Sequence, residues 1–470
     1  MIDQVLGLTQ HVVESSWRFL RDHTIVGLVI ILLSPLPAEA ISDDTTSDSR
    51  AAAIRLETFD QVWNQVRDQY FDYRRIEAEW LAAREELRPQ AATATNAELR
   101  RLLNGMLERV GESHFTVMPP TGVNAPTDGD DPESITASVA TELNVRLIDD
   151  ALIIIAVGQA NAGQIEPGWE LTAIGDRSLT SLIAETLSIE DPAARMRARL
   201  VLEASVVDRI GFPSRDEALV LTLLDDTGAE RQVTARTRNE AMRIVRIGNL
   251  PSLPFAYRAE QLGGGENCVG YLGFTTWVPE LMDRFDESRD ALFACQGLVI
   301  DLRGNLGGVL TTMMPLASHL FPEMVLLGQL IRDDGRIDFR AFPRRVDADG
   351  RRLTPYPGPV AILIDSLSAS TSEMFTSGMQ ALGRARVFGT PSPGMALPAQ
   401  ILPLANGDRL MYAFADYIDV EGRRIEGIGV RPDEIVEPDR DAISSGEDAV
   451  LEAALAWLVS KQTSLRQSES

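Results

Sequence analysis

Lysine is almost missing from this chain. It occurs once in 470 residues, at Lys461 near the C-terminus, and the other basic residues are arginine. A mechanism that needs a lysine amine as proton acceptor in the body of the chain is therefore excluded. Histidine is scarce, with 4 in all, and cysteine is limited to 2. The formal net charge of -25 argues against nucleic acid or an anionic membrane as partner, because both are bound through clustered positive charge. The apolar run from Ile25 to Leu33 is too short for a comfortable membrane-spanning helix, which takes about 20 residues.

What stands around that run is informative. Arg18 and Arg21 precede it, and Ser34-Pro35-Leu36-Pro37 and the small-x-small triplet Ala38-Glu39-Ala40 follow. This is the layout of a secretory signal peptide over residues 1–40, with a membrane contact only if the leader stays uncleaved. Export, to the periplasm on this reading, implies an oxidising compartment. Cys268 and Cys295 each precede a strand-like run, so they either pair across neighbouring strands or remain two buried thiols.

The length suggests two or three domains, and 44% hydrophobic with 24% charged residues is ordinary for a globular protein. A polar stretch from Ser42 to Arg50 reads as flexible. Phe59, Val62, Trp63, Val66 and Tyr70 share one helical face, and Leu99, Leu102, Leu103, Met106 and Leu107 another. Together they predict a helical domain over 51–118. Residues 119–134, rich in Pro, Gly and Asp, read as a linker. A second unit spans 135–238, with a strand at Leu152–Val157, a helix from Asp191 to Asp208, and a hairpin around Asp226-Thr227-Gly228. From 250 to 460, strands at Val269–Leu272, Leu298–Leu302 and Pro359–Ile364 alternate with helices such as Leu310–Phe321. That pattern predicts a mainly parallel sheet covered by helices. Residues 461–470 form a tail.

Two segments carry chemistry. Asp365-Ser366-Leu367-Ser368-Ala369-Ser370-Thr371-Ser372-Glu373 follows a buried strand and enters a helix. A serine there meets unpaired backbone N–H groups, which suits a nucleophile beside an oxyanion site, although simple N-capping gives the same pattern. Asp301-Leu302-Arg303-Gly304-Asn305-Leu306-Gly307-Gly308 also follows a buried strand, and its glycines let backbone amides approach a substrate.

With Gly427-Ile428-Gly429-Val430-Arg431-Pro432-Asp433, Phe59-Asp60-x-Val62-Trp63 and Gly111-Glu112-Ser113-His114, these segments resemble the C-terminal-processing (tail-specific) serine peptidases, family S41. Gly163 to Gly168 resembles the end of that family's PDZ domain. The resemblance implies an α/β multidomain protein with an N-terminal helical domain, a PDZ-like domain and a crotonase-like βα spiral core. It implies an endopeptidase acting on unfolded or C-terminally exposed polypeptides, with no metal and no cofactor. Ser370 corresponds to the nucleophile, leaving Ser368 and Ser372 as turn and capping residues.

One departure is decisive. Where the better-known branch of the family has a lysine base, this chain has Met395, and Lys461 lies in the tail. After leader removal the histidines are His114 and His319. His319 lies in the apolar stretch Leu316–Phe321 and reads as a packing or surface residue. His114, in Gly-Glu-Ser-His, resembles the histidine of the tricorn-like branch, which implies a set of Ser370, His114, Ser113 and Glu426. The amides of Thr371 and of Gly307 or Gly308 would hold the oxyanion. The PDZ-like unit lacks glycines in its carboxylate-binding loop, where Glu142 to Leu147 stand, with Arg146 a candidate contact. The alternative is a non-catalytic relative that binds a ligand or serves as a PDZ scaffold.

Overall fold

The computed structural model describes residues 44–119, 135–211, 218–245, 253–264, 268–347 and 349–468. The expected leader and all but the first residue of the expected linker lie outside them.

Three helices open the described chain: Asp44–Gln69, Tyr73–Ala91 and Asn96–Glu108. The polar stretch read as flexible is helical from Asp44 onward, continuous with the amphipathic helix that follows it. The middle helix has no counterpart in the sequence reading, yet it buries Ile76, Trp80, Ala83 and Leu87 at three- and four-residue spacing. The indole N–H groups of Trp63 and Trp80 donate to each other's backbone carbonyls, at 3.0 and 3.1 Å. Two large rings thus enter the core with their polar atoms satisfied. Thr95 and Glu98 close a capping box on the third helix. The chain then runs into a short strand, Thr116–Met118, which pairs antiparallel with Arg409–Ala413 more than 290 residues later.

Next comes an antiparallel sheet of Leu143–Ile148, Ala151–Val157, Glu170–Ile174, Val220–Leu224 and Glu230–Thr234. The last two form the predicted hairpin. Helices Leu179–Leu187 and Pro192–Gly211 pack with it; the second is the predicted helix, begun one residue later and extended by three.

The largest core is built on a six-stranded sheet in the order Tyr257–Leu262, Val269–Phe274, Gly297–Asp301, Val360–Ile364, Ala385–Gly389, Glu434–Ile435. The first pair is antiparallel and the rest are parallel. Strand residues alternate between two apolar clusters: Leu298, Ile300, Ile362 and Ile364 face one, while Val299, Ala361 and Leu363 face the other, under Val450, Ala454 and Leu458 of the C-terminal helix. Coverage of both faces is why these strands are apolar throughout. Each fully buried aliphatic side chain contributes about 1.5–3 kcal/mol. Cys268 and Cys295 are joined in a disulfide between the starts of neighbouring parallel strands. The helix expected over Leu310–Phe321 is shorter, a 3-10 turn at Leu310–Thr312 followed by Met313–Ser318.

The segments from Asp301, Asp365 and Gly389 all leave the parallel sheet at the C-terminal ends of their strands. That edge is where open α/β sheets place their ligands.

Candidate active site

Ser370 stands at the start of the Thr371–Ala381 helix with φ 56° and ψ -117°. Only five non-glycine residues among those described have positive φ, and Ser370 and His114 are two of them. Such a conformation is costly for a residue with a Cβ and persists only when its surroundings impose it. The surroundings are explicit. The Ser370 N–H lies 2.9 Å from the Met395 carbonyl and 3.1 Å from Glu373 Oε2. Ala369 N–H donates to Asn305 O.

The flanking serines fasten the turn to the Asp301–Gly308 segment. Ser368 Oγ donates to Leu302 O. Ser372, expected as a turn or capping residue, caps nothing: its hydroxyl donates to Asn305 O and accepts from the Trp277 indole. The reason is depth, since Ser372 is fully buried and faces a neighbouring loop instead of its own helix end.

The glycines there serve close approach. A Cβ on Gly307 would sit 2.7 Å from Ser370 Cβ, and one on Gly308 would strike the Trp277 carbonyl. The Gly307 N–H is spent on Asn305 Oδ1 at 3.0 Å. The amides of Gly308 and Thr371 donate to no group among the described residues.

Ser113, His114 and Glu426 are brought together across 313 residues of sequence. Glu426 accepts from Ser113 N–H at 2.8 Å, Ser113 Oγ at 2.9 Å and Ala396 N–H at 2.8 Å. Ser113 Oγ also lies 2.7 Å from His114 Nδ1. A hydroxyl has one proton. With Ser113 donating to the Glu426 carboxylate, it must accept from Nδ1–H, so the imidazole carries its free lone pair on Nε2. No hydrogen bond joins His114 to Ser370. They are connected through neighbours: Ser370 N–H binds Met395 O, and the next residue, Ala396, binds Glu426. Glu112 secures the histidine loop through Arg75 and Arg424 at 3.2 and 2.9 Å.

Desolvation lowers the His114 imidazole to about 4, so it is neutral through the physiological range. Burial raises the Glu426 carboxyl, opposed by the hydrogen bonds from Ser113 and Ala396.

Glu373 had no assigned role in the sequence reading. It is fully buried and accepts from Ser370 N–H, Ser392 Oγ, Gly394 N–H and Met395 N–H. Burial nevertheless raises it to about 7. The signal was its place three residues after Ser370, a capping-box spacing. Met395, at the lysine position, is buried against Leu200, Ala204, Leu367 and Ala369. His319 is only 1% exposed and lies outside the site, edge-on to Phe285.

Comparison with known proteins bears on family and fold. Residues 268–436 match the model of peptidase family S41, and residues 52–108 match the tricorn protease C1 domain. Carboxyl-terminal-processing peptidase 2, chloroplastic, of Arabidopsis thaliana is 25% identical over 437 residues, covering 89% of this chain and 76% of that protein. The carboxyl-terminal-processing protease of Synechocystis is 23% identical over 412 residues, 85% of each. Among solved structures, mature CPAF complexed with lactacystin has a TM-score of 0.54 at 14% identity, covering 87% of this chain and 98% of its own, a likeness of fold.

Proposed function

The chain belongs to peptidase family S41, and from that premise we propose that it is an exported serine endopeptidase that runs on histidine. Ser370 Oγ attacks the carbonyl carbon of a peptide bond while His114 Nε2 takes its proton. The amides of Thr371 and Gly308 hold the oxyanion. Collapse of the tetrahedral intermediate breaks the C–N bond, and the proton on Nε2 goes to the departing amine. A water then attacks the acyl-enzyme and gives its proton to the same nitrogen, and that proton returns to Ser370 Oγ as the acyl C–O bond breaks and the new carboxyl end leaves. Ser113 and Glu426 hold the imidazole in the tautomer this requires.

The observation that carries the reading is the Glu426–Ser113–His114 chain ending one residue from the backbone that holds the strained Ser370. The antiparallel unit with its two helices supports a PDZ-like domain over 135–238, between a helical domain over 51–118 and a crotonase-like core over 250–460. Unfolded or C-terminally exposed polypeptides are the substrates this implies. The Cys268–Cys295 disulfide supports an oxidising compartment such as the periplasm.

The test is covalent labelling of the purified chain by a fluorophosphonate probe, beside hydrolysis of an unfolded polypeptide. Wild type should label and cleave, and Ser370→Ala should do neither while keeping its fold. Unchanged labelling of Ser370→Ala overturns the assignment. Absence of labelling and cleavage in wild type favours the ligand- or partner-binding alternative.

A further inference from the structure

The second unit reaches into the site at a point the mechanism above does not use. Glu203, on the Pro192–Gly211 helix, is 0% exposed. Its Oε1 accepts from Leu147 N–H of its own unit at 3.1 Å. Its Oε2 accepts from Ser366 Oγ, at the base of the nucleophile turn, at 2.8 Å. Arg146, on the adjoining strand, donates to Asp365 at 2.9 Å. Asp365 in turn accepts from Gly304 N–H and Leu367 N–H, so it ties the glycine loop to the nucleophile turn. Leu200, three residues before Glu203, and Ala204, the residue after it, pack on Leu367, Ala369 and Met395. Four of the five residues from Asp365 to Ala369 are thus held from the second unit. A carboxylate kept wholly from water is costly, and this one is spent on a joint between two units.

We propose that Glu203 is a positioning residue for Ser370: through Ser366 it fixes the nucleophile turn, so the seating of the Pro192–Gly211 helix governs how reactive Ser370 is. This rests on Ser370 being the nucleophile. A strained turn keeps its shape only while its supports are in place, and a small displacement of a nucleophile lowers rate without lowering substrate affinity.

The experiment measures the fluorophosphonate acylation rate, kcat and KM of the full chain. Glu203→Ala should lower acylation and kcat by at least about tenfold with KM little changed. Glu203→Gln should restore most of the rate, because its amide oxygen accepts from Leu147 N–H and its NH2 donates to Ser366 Oγ. Ser366→Ala should lose a similar factor, and the double variant should be no worse than either single one. Should Glu203→Ala fail to fold, Ser366→Ala carries the test alone. Wild-type acylation in Glu203→Ala or Ser366→Ala, or losses that multiply in the double variant, overturn the proposal. Glu203→Gln as slow as Glu203→Ala also overturns it. Probe that labels Ser370 in wild type while Glu203→Ala is unaffected removes this inference alone; probe that labels Ser370→Ala removes the reading beneath it.

Discussion

The two described histidines sit in regions that look alike electrostatically and differ in everything else. Desolvation lowers His114 to about 4 and His319 to about 3, the latter helped by the cations Arg344 and Arg289. His319 is sealed between Phe285 and Phe293, with Arg289 Nε donating to its Nδ1 at 3.3 Å and Asp286 3.7 Å from its Nε2. His114 is only partly covered, and its Nδ1 meets a hydroxyl backed by a carboxylate. A depressed imidazole pKa therefore does not mark a base. What sets His114 apart is a tautomer fixed from behind, by Ser113 Oγ at Nδ1 and the Glu426 carboxylate beyond it.

The sharpest way to break this comparison is to delete each ring. His114→Ala is expected to lower kcat by about a thousandfold or more, because members of such a set act as a unit, with little change in stability. Near-full hydrolysis by that variant, in a preparation free of other proteases, would end the histidine mechanism. The second largest effect is expected at Glu426. A glutamine cannot accept from Ser113 N–H, Ser113 O–H and Ala396 N–H without turning its own N–H on one of them, so Glu426→Gln should cost about 10–100-fold in kcat. Equal losses in Glu426→Gln and His114→Ala would mean the carboxylate does more than orient.

His319→Ala should do the reverse of His114→Ala. It leaves a cavity among aromatic rings and should cost about 2–4 kcal/mol of stability, with kcat per folded molecule unchanged. Denaturant titration beside active-site labelling separates the two quantities.

The smallest effect is in pH dependence. A neutral Nε2 is the working form, so a depressed pKa moves the acid limb of kcat/KM below the ordinary imidazole value of about 6.5, toward about 4. Activity should be level from neutral pH down to weakly acid pH; a limb centred at the ordinary value would show His114 to be solvated. Stability follows the same groups. The folded state excludes protons that the unfolded chain binds at both rings, so their contribution is complete above about pH 6.5 and is lost as pH falls toward their folded values. Buried Glu203 and Glu373, both raised to about 7, act oppositely, weakening the fold as pH rises from the ordinary carboxyl range through 7. Comparing His319→Gln with wild type across this window isolates one ring.

The contrast between the histidines was half legible in the sequence. The apolar residues around His319 already spoke of packing, and the Gly-Glu-Ser-His segment with Met395 in place of a lysine already pointed to His114. The strand-to-helix turn at Ser370 was readable because a buried apolar strand followed by serines and an amphipathic helix is a local pattern. The tautomer, the depressed pKa and the engaged Gly307 amide were not readable, since each depends on what another segment brings near. Glu203 was invisible for the same reason: within its helix it is one charged residue among several. The Tyr73–Ala91 helix shows in the spacing of Ile76, Trp80 and Leu87, but that pattern is masked by many charged residues and by Pro89.

The pairing of Thr116–Met118 with Arg409–Ala413 has a consequence for timing. Closing so long a loop is entropically late work, because the distant contact rewards the chain only after its ends have met. During synthesis the segment with His114, the proposed base, emerges early, and the segments with Ser370 and Glu426 emerge later. On the proposed mechanism, competence waits for this long-range strand pair, so a partly made chain lacks a complete site.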